Sequence, residues 1–375
     1  MAQNILYASD NYSEFDCYFE QTGIRIFLLV CGKSLQNLKI GEYFDNLYLR
    51  TGIEVVKFDK FQPNPSYESV VEGVRVFQEN HCEGIVAVGG GSAIDVAKCI
   101  KLYSALDCEH IEPPFFQQEI IPNDIKFLAV PTTAGTGAEA TRYAVIYYHG
   151  EKQSITNENC IPETVLMDSG ALATLSLYQR KVTLLDALCH SIESFWSVNS
   201  TNESKIYSKA AIERILLNIK GYLQNDKKAN AVMLQAAHLA GKAINITQTT
   251  SGHAMSYKLT KKYNIAHGHA VALCIKEIWP WMLINIDRCV DPRGKEYLKR
   301  MFDSLADVMG VQSAEAAADK FENIVSGLEL QIPCAVENDY NILCKSVNPI
   351  RLKNNPILLD EKDIDLLYHR ILRKN

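Results

Sequence analysis

The stretch Val86-Ala87-Val88-Gly89-Gly90-Gly91-Ser92-Ala93-Ile94-Asp95-Val96-Ala97-Lys98 decides the fold. An apolar, valine-rich run enters three glycines and leaves in a helical pattern, which is how a βα turn of a parallel sheet reads. Glycine lets backbone approach a ligand closely. The helix start offers free N–H groups and a positive dipole end, which suit a pyrophosphate. A tight turn with no ligand competes with this, because short glycine motifs are weakly specific. A second polar turn strengthens the ligand case. Val130-Pro131-Thr132-Thr133-Ala134-Gly135-Thr136-Gly137-Ala138-Glu139 follows another strand-like run, and its hydroxyls suit ribose or phosphate contacts. Ligands of open α/β sheets bind at the carboxyl ends of the strands. Each threonine alone is also compatible with capping its own helix.

Outward from these turns, residues 26–30, 53–58, 84–88 and 127–130 read as strands, with a helical pattern over 69–80 between them. Strands separated by helices predict a parallel sheet. After Leu172 the strand signal fades, and helices are predicted over 179–197, 204–222, 228–246, 271–284 and 297–309. The expected organisation is an α/β dinucleotide-binding domain over 1–172 and an all-α domain over 173–375, with a soft boundary between Asp168 and Tyr178. The 375 residues suit two domains. A net charge of −6 with no basic stripe excludes a general nucleic-acid binder. The 47 % apolar and 22 % charged content exclude wholesale disorder, collagen and coiled coil. The longest apolar run near the start, Ile26–Cys31, is far short of the roughly 20 residues of a membrane span. Met1-Ala2-Gln3-Asn4 lacks the pattern of a signal peptide. Eleven scattered cysteines without a C-x-x-C pair read as reduced thiols, so a cytoplasmic location is expected. The aromatic-rich segment 1–22, with Tyr7, Tyr12, Phe15, Tyr18 and Phe19, carries no functional signal of its own.

Leu184-Leu185-Asp186-Ala187-Leu188-Cys189-His190-Ser191-Ile192-Glu193 is helical in pattern and puts Asp186 and His190 on one face. Downstream stand Gly252-His253-Ala254-Met255 and Ala266-His267-Gly268-His269. One carboxylate with two or three imidazoles can hold a divalent transition metal. Buried ion networks use the same groups, so the residues alone leave both readings open. His81, His110, His149 and His369 read as surface residues.

Together, Gly89-Gly90-Gly91-Ser92 with Asp95, Pro131-Thr132-Thr133 with Gly135-Thr136-Gly137 and Glu139, Asp186-x3-His190 and His253-x13-His267 resemble the iron-containing (group III) alcohol dehydrogenases. The likeness spans roughly residues 20–350. It implies an active site in the cleft between a dinucleotide-binding α/β domain and a helical domain. It implies Asp186, His190, His253 and His267 as ligands of ferrous iron, with zinc as the alternative metal. Gly89, Gly90, Gly91 and Ser92 would hold the pyrophosphate, Thr132, Thr133 and Thr136 would line the adenosine and nicotinamide side, and Asp95 would stand near the nicotinamide.

Two departures bear on specificity. Many members carry an aspartate after the first strand for the adenosine ribose, where this chain has Gly32-Lys33-Ser34. A carboxylate repels a 2′-phosphate, whereas Lys33 and Ser34 can bind one, so NADPH is expected over NADH. Many members also carry a histidine four residues after the third ligand, where this chain has Tyr257. That feature, with Trp196 on the ligand helix, is similar to the phosphonoacetaldehyde reductase subgroup. The implied reaction is hydride transfer between nicotinamide and a small aldehyde, giving 2-hydroxyethylphosphonate from phosphonoacetaldehyde. Tyr257, His269 or a metal-linked water would return the proton, Cys189 would only pack, and Arg142, Lys258 or Lys152 would face the phosphonate. A general reductase of short or sugar-derived aldehydes is the nearest alternative, and a dehydroquinate-synthase-like cyclase a more distant one. The expected partner is a small aldehyde or alcohol, with no nucleic acid and no membrane, in a homodimer.

Overall fold

A computed structural model describes residues 3–374. Residues 1, 2 and 375, which bound the two expected domains and open the stretch read for a leader, lie outside the described residues. The chain divides into two compact units. The first takes residues up to Leu175 and also Asn225–Leu234; the second takes Ser176–Gln224 and the remainder from Gln235. The sequence pattern alone assigns 225–234 to the helical half. Within the first unit Asn225 Nδ2 donates to the Ala173 carbonyl at 3.0 Å, and Asn230 Nδ2 donates to Asn225 Oδ1 at 3.0 Å.

The first unit runs β1 (Asn4–Tyr7), α1 (Ser13–Thr22), β2 (Ile26–Cys31), α2 (Lys39–Asp45), α3 (Leu47–Thr51), β3 (Glu54–Phe58), α4 (Tyr67–Glu79), β4 (Gly84–Gly89), α5 (Gly91–Tyr103), β5 (Lys126–Pro131), β6 (Tyr143–Tyr148), β7 (Glu151–Thr156) and β8 (Thr164–Met167). Six strands form one parallel sheet in the order β1-β8-β5-β4-β2-β3. The strands read from the sequence are its four strands β2 to β5. The edge strand β1 and its neighbour β8, four residues each, carry too short a pattern to be read.

Both faces of the sheet are covered, as a parallel sheet requires. Leu28 and Val30 pack with α4 and α5 on one face, while Phe27, Leu29 and Cys31 pack with α1, α2 and α3 on the other. The crossover helices therefore change face between β2 and β4. In this kind of sheet, that switch point is where a ligand crevice opens. The aromatic segment near the N-terminus has a packing role. Phe15 stacks on Tyr43 at 5.3 Å and Phe19 on Phe27 at 4.9 Å, contacts worth roughly 0.5–1.5 kcal/mol each beyond burial.

Strands β6 and β7 form a separate antiparallel hairpin. His149 and Gly150 make its turn at φ 48° and 78°. Two successive residues in the left-handed region suit a two-residue turn of the type that matches strand twist.

From Leu177 onward the chain is helical: α6 (Leu177–Trp196), α7 (Asn202–Leu223), α8 (Lys227–Thr247), α9 (Ser251–Tyr263), α10 (His267–Ile284), α11 (Lys295–Met309), α12 (Ala314–Gly327), α13 (Glu337–Ser346), α14 (Pro349–Leu352) and α15 (Glu361–Ile371). One departure from an all-α half is a parallel pair of two-residue strands, β9 (Cys334–Ala335) and β10 (Arg373–Lys374). No described helix is long and apolar enough to cross a membrane.

Candidate functional site

In the first unit, the register of β4 on β5 pairs Val88 with Val130 and Gly89 with Pro131, so the two polar turns leave the sheet side by side. Thr132 N–H donates to the Gly89 carbonyl at 3.0 Å across them. The glycines are required for space. A Cβ on Gly89 would lie 2.5 Å from that of Ala93. One on Gly90 would press on Thr133, and one on Gly91 on Thr136, both at 3.2 Å. On the other side β2 pairs Cys31 with Val88, which brings Gly32, Lys33 and Ser34 to the same end of the sheet. Gly32, Gly89–Ser92 and Thr132–Thr136 thus converge at the switch point, with Lys33 and Ser34 exposed. Helix α5 starts at Gly91 without a side-chain cap, so its first N–H groups are available to an anion.

Asp95 and Lys98, one turn apart on α5, face the segment that leaves the threonine turn. Asp95 Oδ2 accepts the Val145 N–H of β6 at 3.1 Å. Lys98 Nζ is fully buried and donates to the carbonyls of Thr141 at 2.7 Å and Tyr143 at 2.6 Å, and to Thr141 Oγ1 at 3.1 Å. Burial pushes the Asp95 carboxyl up to about 6 and the Lys98 ammonium down, each opposed by the charge of the other. The structure uses Asp95 as a strut from α5 to the hairpin. Arg142 Nη1 donates to Glu158 Oε1 at 2.6 Å and Arg142 Nε to Tyr143 Oη at 3.4 Å. Arg142 therefore has a carboxylate partner within its own unit, on an exposed side of the hairpin. Lys152 stands on β7 and helps hold down the Asp95 carboxyl.

The second unit brings the ionisable residues of three helices together. Asp186 and His190 share a face of α6, His253 lies near the start of α9, and His267 opens α10. The donor atoms of Asp186, His253 and His267 lie within 4.8 Å of one another, with His253 Nε2 3.9 Å from Asp186 Oδ1. Glycines beside the histidines permit this. A Cβ on Gly268 would lie 2.1 Å from the Val182 carbonyl and 2.7 Å from Asp186 Cβ, so α10 presses directly onto α6. His190 stands beside this trio, its ring stacked on that of His253 at 4.5 Å and 13°. Asp186 Oδ1 and His190 Nδ1 are buried with no hydrogen-bond partner among the described residues. A buried carboxylate oxygen left in this way is costly unless a cation meets it. One carboxylate and imidazole nitrogens match the donor preference of divalent iron or zinc, so the residues fit such an ion.

Sequence reasoning left Glu193 unassigned. It follows Asp186 and His190 at the spacing i, i+4, i+7, which marks one helix face. Its Oε2 meets His253 Nδ1, and its Oε1 accepts from Thr250 Oγ1 at 2.7 Å and from Gly252 N–H at 2.8 Å. Burial raises its carboxyl, and these donors oppose the rise.

Tyr257 lies parallel to His267, 5.6 Å away at 6°. His269, two positions after His267 and so turned to another side of α10, is buried, and its Nδ1 lies 3.3 Å from Tyr178 Oη. Burial lowers its affinity for a proton. Lys258 is half-buried beside Tyr257 and has no carboxylate partner among the described residues. Burial raises the Cys189 thiol well above its ordinary range, which leaves it inert.

Comparison with known proteins places the chain in a family. The family described as iron-containing alcohol dehydrogenase matches residues 2–169, and its C-terminal counterpart matches 181–372. The chain is similar to a phosphonoacetaldehyde reductase of Streptomyces viridochromogenes, 31 % identical over 80 % of this chain and 79 % of the relative. It is similar to an NADPH-dependent butanol dehydrogenase of Clostridium saccharobutylicum, 28 % identical over 91 % of this chain and 86 % of the relative. Among solved structures, the sulfoacetaldehyde reductase of Bifidobacterium kashiwanohense in complex with NAD+ shares the fold, with a TM-score of 0.86 and 24 % identity over 98 % of this chain and 96 % of the other.

Proposed function

This chain belongs to the iron-containing alcohol dehydrogenase family, and from that premise we propose that it reduces a short aldehyde bearing a phosphonate, at the expense of NADPH. The coarser activity comes with the family: an oxidoreductase interconverting alcohols and aldehydes with NAD(P) and iron. The observation that carries the chemistry is the meeting of buried Asp186 and His253 with half-buried His267; His190, whose ring stacks on His253, is taken as the fourth ligand in this proposal. Bound there, divalent iron supplies Lewis acidity to the carbonyl while the nicotinamide supplies hydride.

The chain's own residues do the rest. Glycines 89–91 and the start of α5 hold the pyrophosphate. Thr132, Thr133 and Thr136 line the cofactor, and Lys33 and Ser34 receive the 2′-phosphate. The net reaction is aldehyde plus NADPH plus a proton, giving alcohol plus NADP+. We assign return of that proton to Tyr257, because its phenol ring lies against a ligand imidazole while His269 is engaged by Tyr178. Residues 1–172 and 173–375 divide the cofactor and metal functions in this proposal, which also takes the enzyme to be a cytoplasmic homodimer.

The substrate assignment rests on the similarity to the phosphonoacetaldehyde reductase and on Lys258, a half-buried cation on the helix that carries His253. The test is NADPH oxidation by anaerobically iron-loaded protein with phosphonoacetaldehyde and with propanal. A charge-assisted contact worth about 1.5–3 kcal/mol predicts a kcat/KM advantage of roughly 10- to 100-fold for the phosphonate. Lys258→Gln should erase that advantage and spare propanal, while Arg142→Ala should leave it intact. Equal activity on the two aldehydes removes the phosphonate and leaves a general aldehyde reductase. A reaction with no net cofactor turnover would favour the cyclase.

A further inference from the structure

We propose that Trp196 and Thr250 are positioning residues for the metal: through Glu193 they fix which nitrogen of His253 faces Asp186 and His267. This rests on the metal site assigned above.

A hydrogen-bonded chain runs from the indole to the ligand. Trp196 Nε1 donates to Thr250 Oγ1 at 3.0 Å, and Thr250 Oγ1 donates to Glu193 Oε1 at 2.7 Å. Glu193 Oε2 then meets His253 Nδ1. All four residues are buried, with 2 % or less of their surface exposed. The direction of the chain follows from the donor inventory. An indole N–H can only donate, so Thr250 accepts from it and its single proton goes to Glu193. A carboxylate that only accepts obliges His253 Nδ1 to carry the other proton. The lone pair of His253 is then on Nε2, the nitrogen 3.9 Å from Asp186 Oδ1. Tautomer and ring orientation of a ligand imidazole are set by the partner of its distal nitrogen.

The same carboxylate also ties two ligand-bearing helices together. Thr250 occupies the N-cap position of α9 without making a cap bond, because its hydroxyl is turned to Glu193. Glu193 takes over the capping, accepting from Gly252 N–H at 2.8 Å and His253 N–H at 3.3 Å. A carboxylate at a helix N-terminus is favoured by the dipole. Gly252 makes the approach possible, since a Cβ there would lie 2.8 Å from Glu193 Oε1 and 2.5 Å from Ile275. Helix α6, which carries Asp186, therefore caps helix α9, which carries His253. Trp196 is held in turn against Trp279 at 5.3 Å and 75° and against Phe302 at 6.2 Å, so its N–H has a fixed origin.

The experiment measures Co2+ binding to Thr250→Val, Thr250→Ser and Trp196→Phe by competition with a chromophoric chelator. The visible absorption of bound Co2+ and the melting of the metal-free proteins are recorded in parallel. Loss of an outer-shell partner typically costs 10- to 100-fold in metal affinity. Thr250→Val is expected within that range with an altered Co2+ spectrum. Trp196→Phe, which keeps an aromatic ring against Trp279, should weaken binding about three- to tenfold, and Thr250→Ser should stay within about threefold of wild type. Wild-type affinity and spectrum in Thr250→Val would overturn the proposal. So would Thr250→Ser binding as weakly as Thr250→Val, because packing rather than the hydroxyl would then be responsible. Failure of the metal assignment itself is separable. In that case the wild-type protein gives no Co2+ spectrum that Asp186→Ala abolishes, and both proposals fall together.

Discussion

Lys98→Met tests whether the two cofactor turns are held as one body. The substitution keeps the unbranched stem of the side chain, one atom shorter, and removes its charge inside a fully buried site. It strips the donor from the Thr141 and Tyr143 carbonyls, bonded at 2.7 and 2.6 Å. An acceptor left unsatisfied in the interior costs about 1–3 kcal/mol, so two carbonyls cost about 2–6. Asp95 also loses the nearby cation that opposes the rise of its carboxyl. The carbonyl range centres near 4 kcal/mol. For a unit of this size 1 kcal/mol moves the melting midpoint by about 2–4 °C, so the first unit should melt roughly 8–16 °C lower. Residues 141–143 lead directly out of the threonine turn, so their release should raise KM for NADPH about tenfold with a smaller change in kcat. Metal affinity, a property of the helical unit, should not change. The double variant Asp95→Asn, Lys98→Met leaves no unpaired charge and should be less destabilised than the sum of the single variants. The assays are scanning calorimetry of the metal-free protein and steady-state kinetics in NADPH. A midpoint within about 2 °C of wild type, or a fall in kcat at constant KM, would refute the strut.

Three further outcomes follow from the same geometry. Lys33→Asp places a carboxylate after β2, where it repels a 2′-phosphate. The ratio of kcat/KM for NADPH to that for NADH should fall by roughly 10- to 100-fold, and an unchanged ratio would show that Lys33 does not read the phosphate. Removal of the metal leaves the Asp186 carboxylate oxygen buried and unpartnered. Asp186→Ala should therefore raise the melting midpoint of the chelator-treated protein while abolishing the rise that Fe2+ or Zn2+ gives wild type, and a lower midpoint in both states would contradict this. Asp95 titrates near 6 in the folded chain against an ordinary value of 3.8. The folded state then keeps a proton that the unfolded state has lost. The stabilisation from this group is complete below about pH 4 and is lost as pH rises to about 6, by roughly 3 kcal/mol. Denaturant titrations of metal-free wild type should show that decline relative to Asp95→Asn, and parallel curves would rule it out.

What the sequence discloses tracks how each residue does its work. The glycine and threonine turns are legible because backbone–ligand proximity restricts the residue type at consecutive positions, and the register of β4 on β5 sets them side by side. Asp186 and His190 are legible because a helix puts positions four apart on one face. Glu193 continues that stripe at i+7, yet it sits among apolar residues, and nothing local tells a buried capping carboxylate from an exposed glutamate. Its partners confirm the difficulty. Thr250 lies 57 positions away, and only the packing of α9 against α6 discloses that its hydroxyl turns from its own helix to Glu193. The β6–β7 hairpin is not legible, since Tyr143–Tyr148 is apolar or aromatic throughout and shows its alternation of buried and partly exposed residues only once folded.

Arg142 is a related case. A cation following a ligand-binding turn invites assignment to substrate, and its partner Glu158 is brought near by the hairpin, which pairs Tyr143 with Thr156. Residues that would touch ligand directly announce themselves by type and spacing. Residues that orient them are ordinary in type and become visible through one measurable property, whether each buried donor and acceptor has a partner. Asp186 Oδ1, His190 Nδ1 and His253 Nε2 are among the buried atoms without a hydrogen-bond partner among the described residues, while Lys98, Glu193, Thr250 and Trp196 have hydrogen bonds within the chain. Substitutions at the first group should act on what binds. Those at the second group should act on how well the site is held before anything binds, which is why metal affinity, melting of the metal-free protein and the KM for cofactor separate the two.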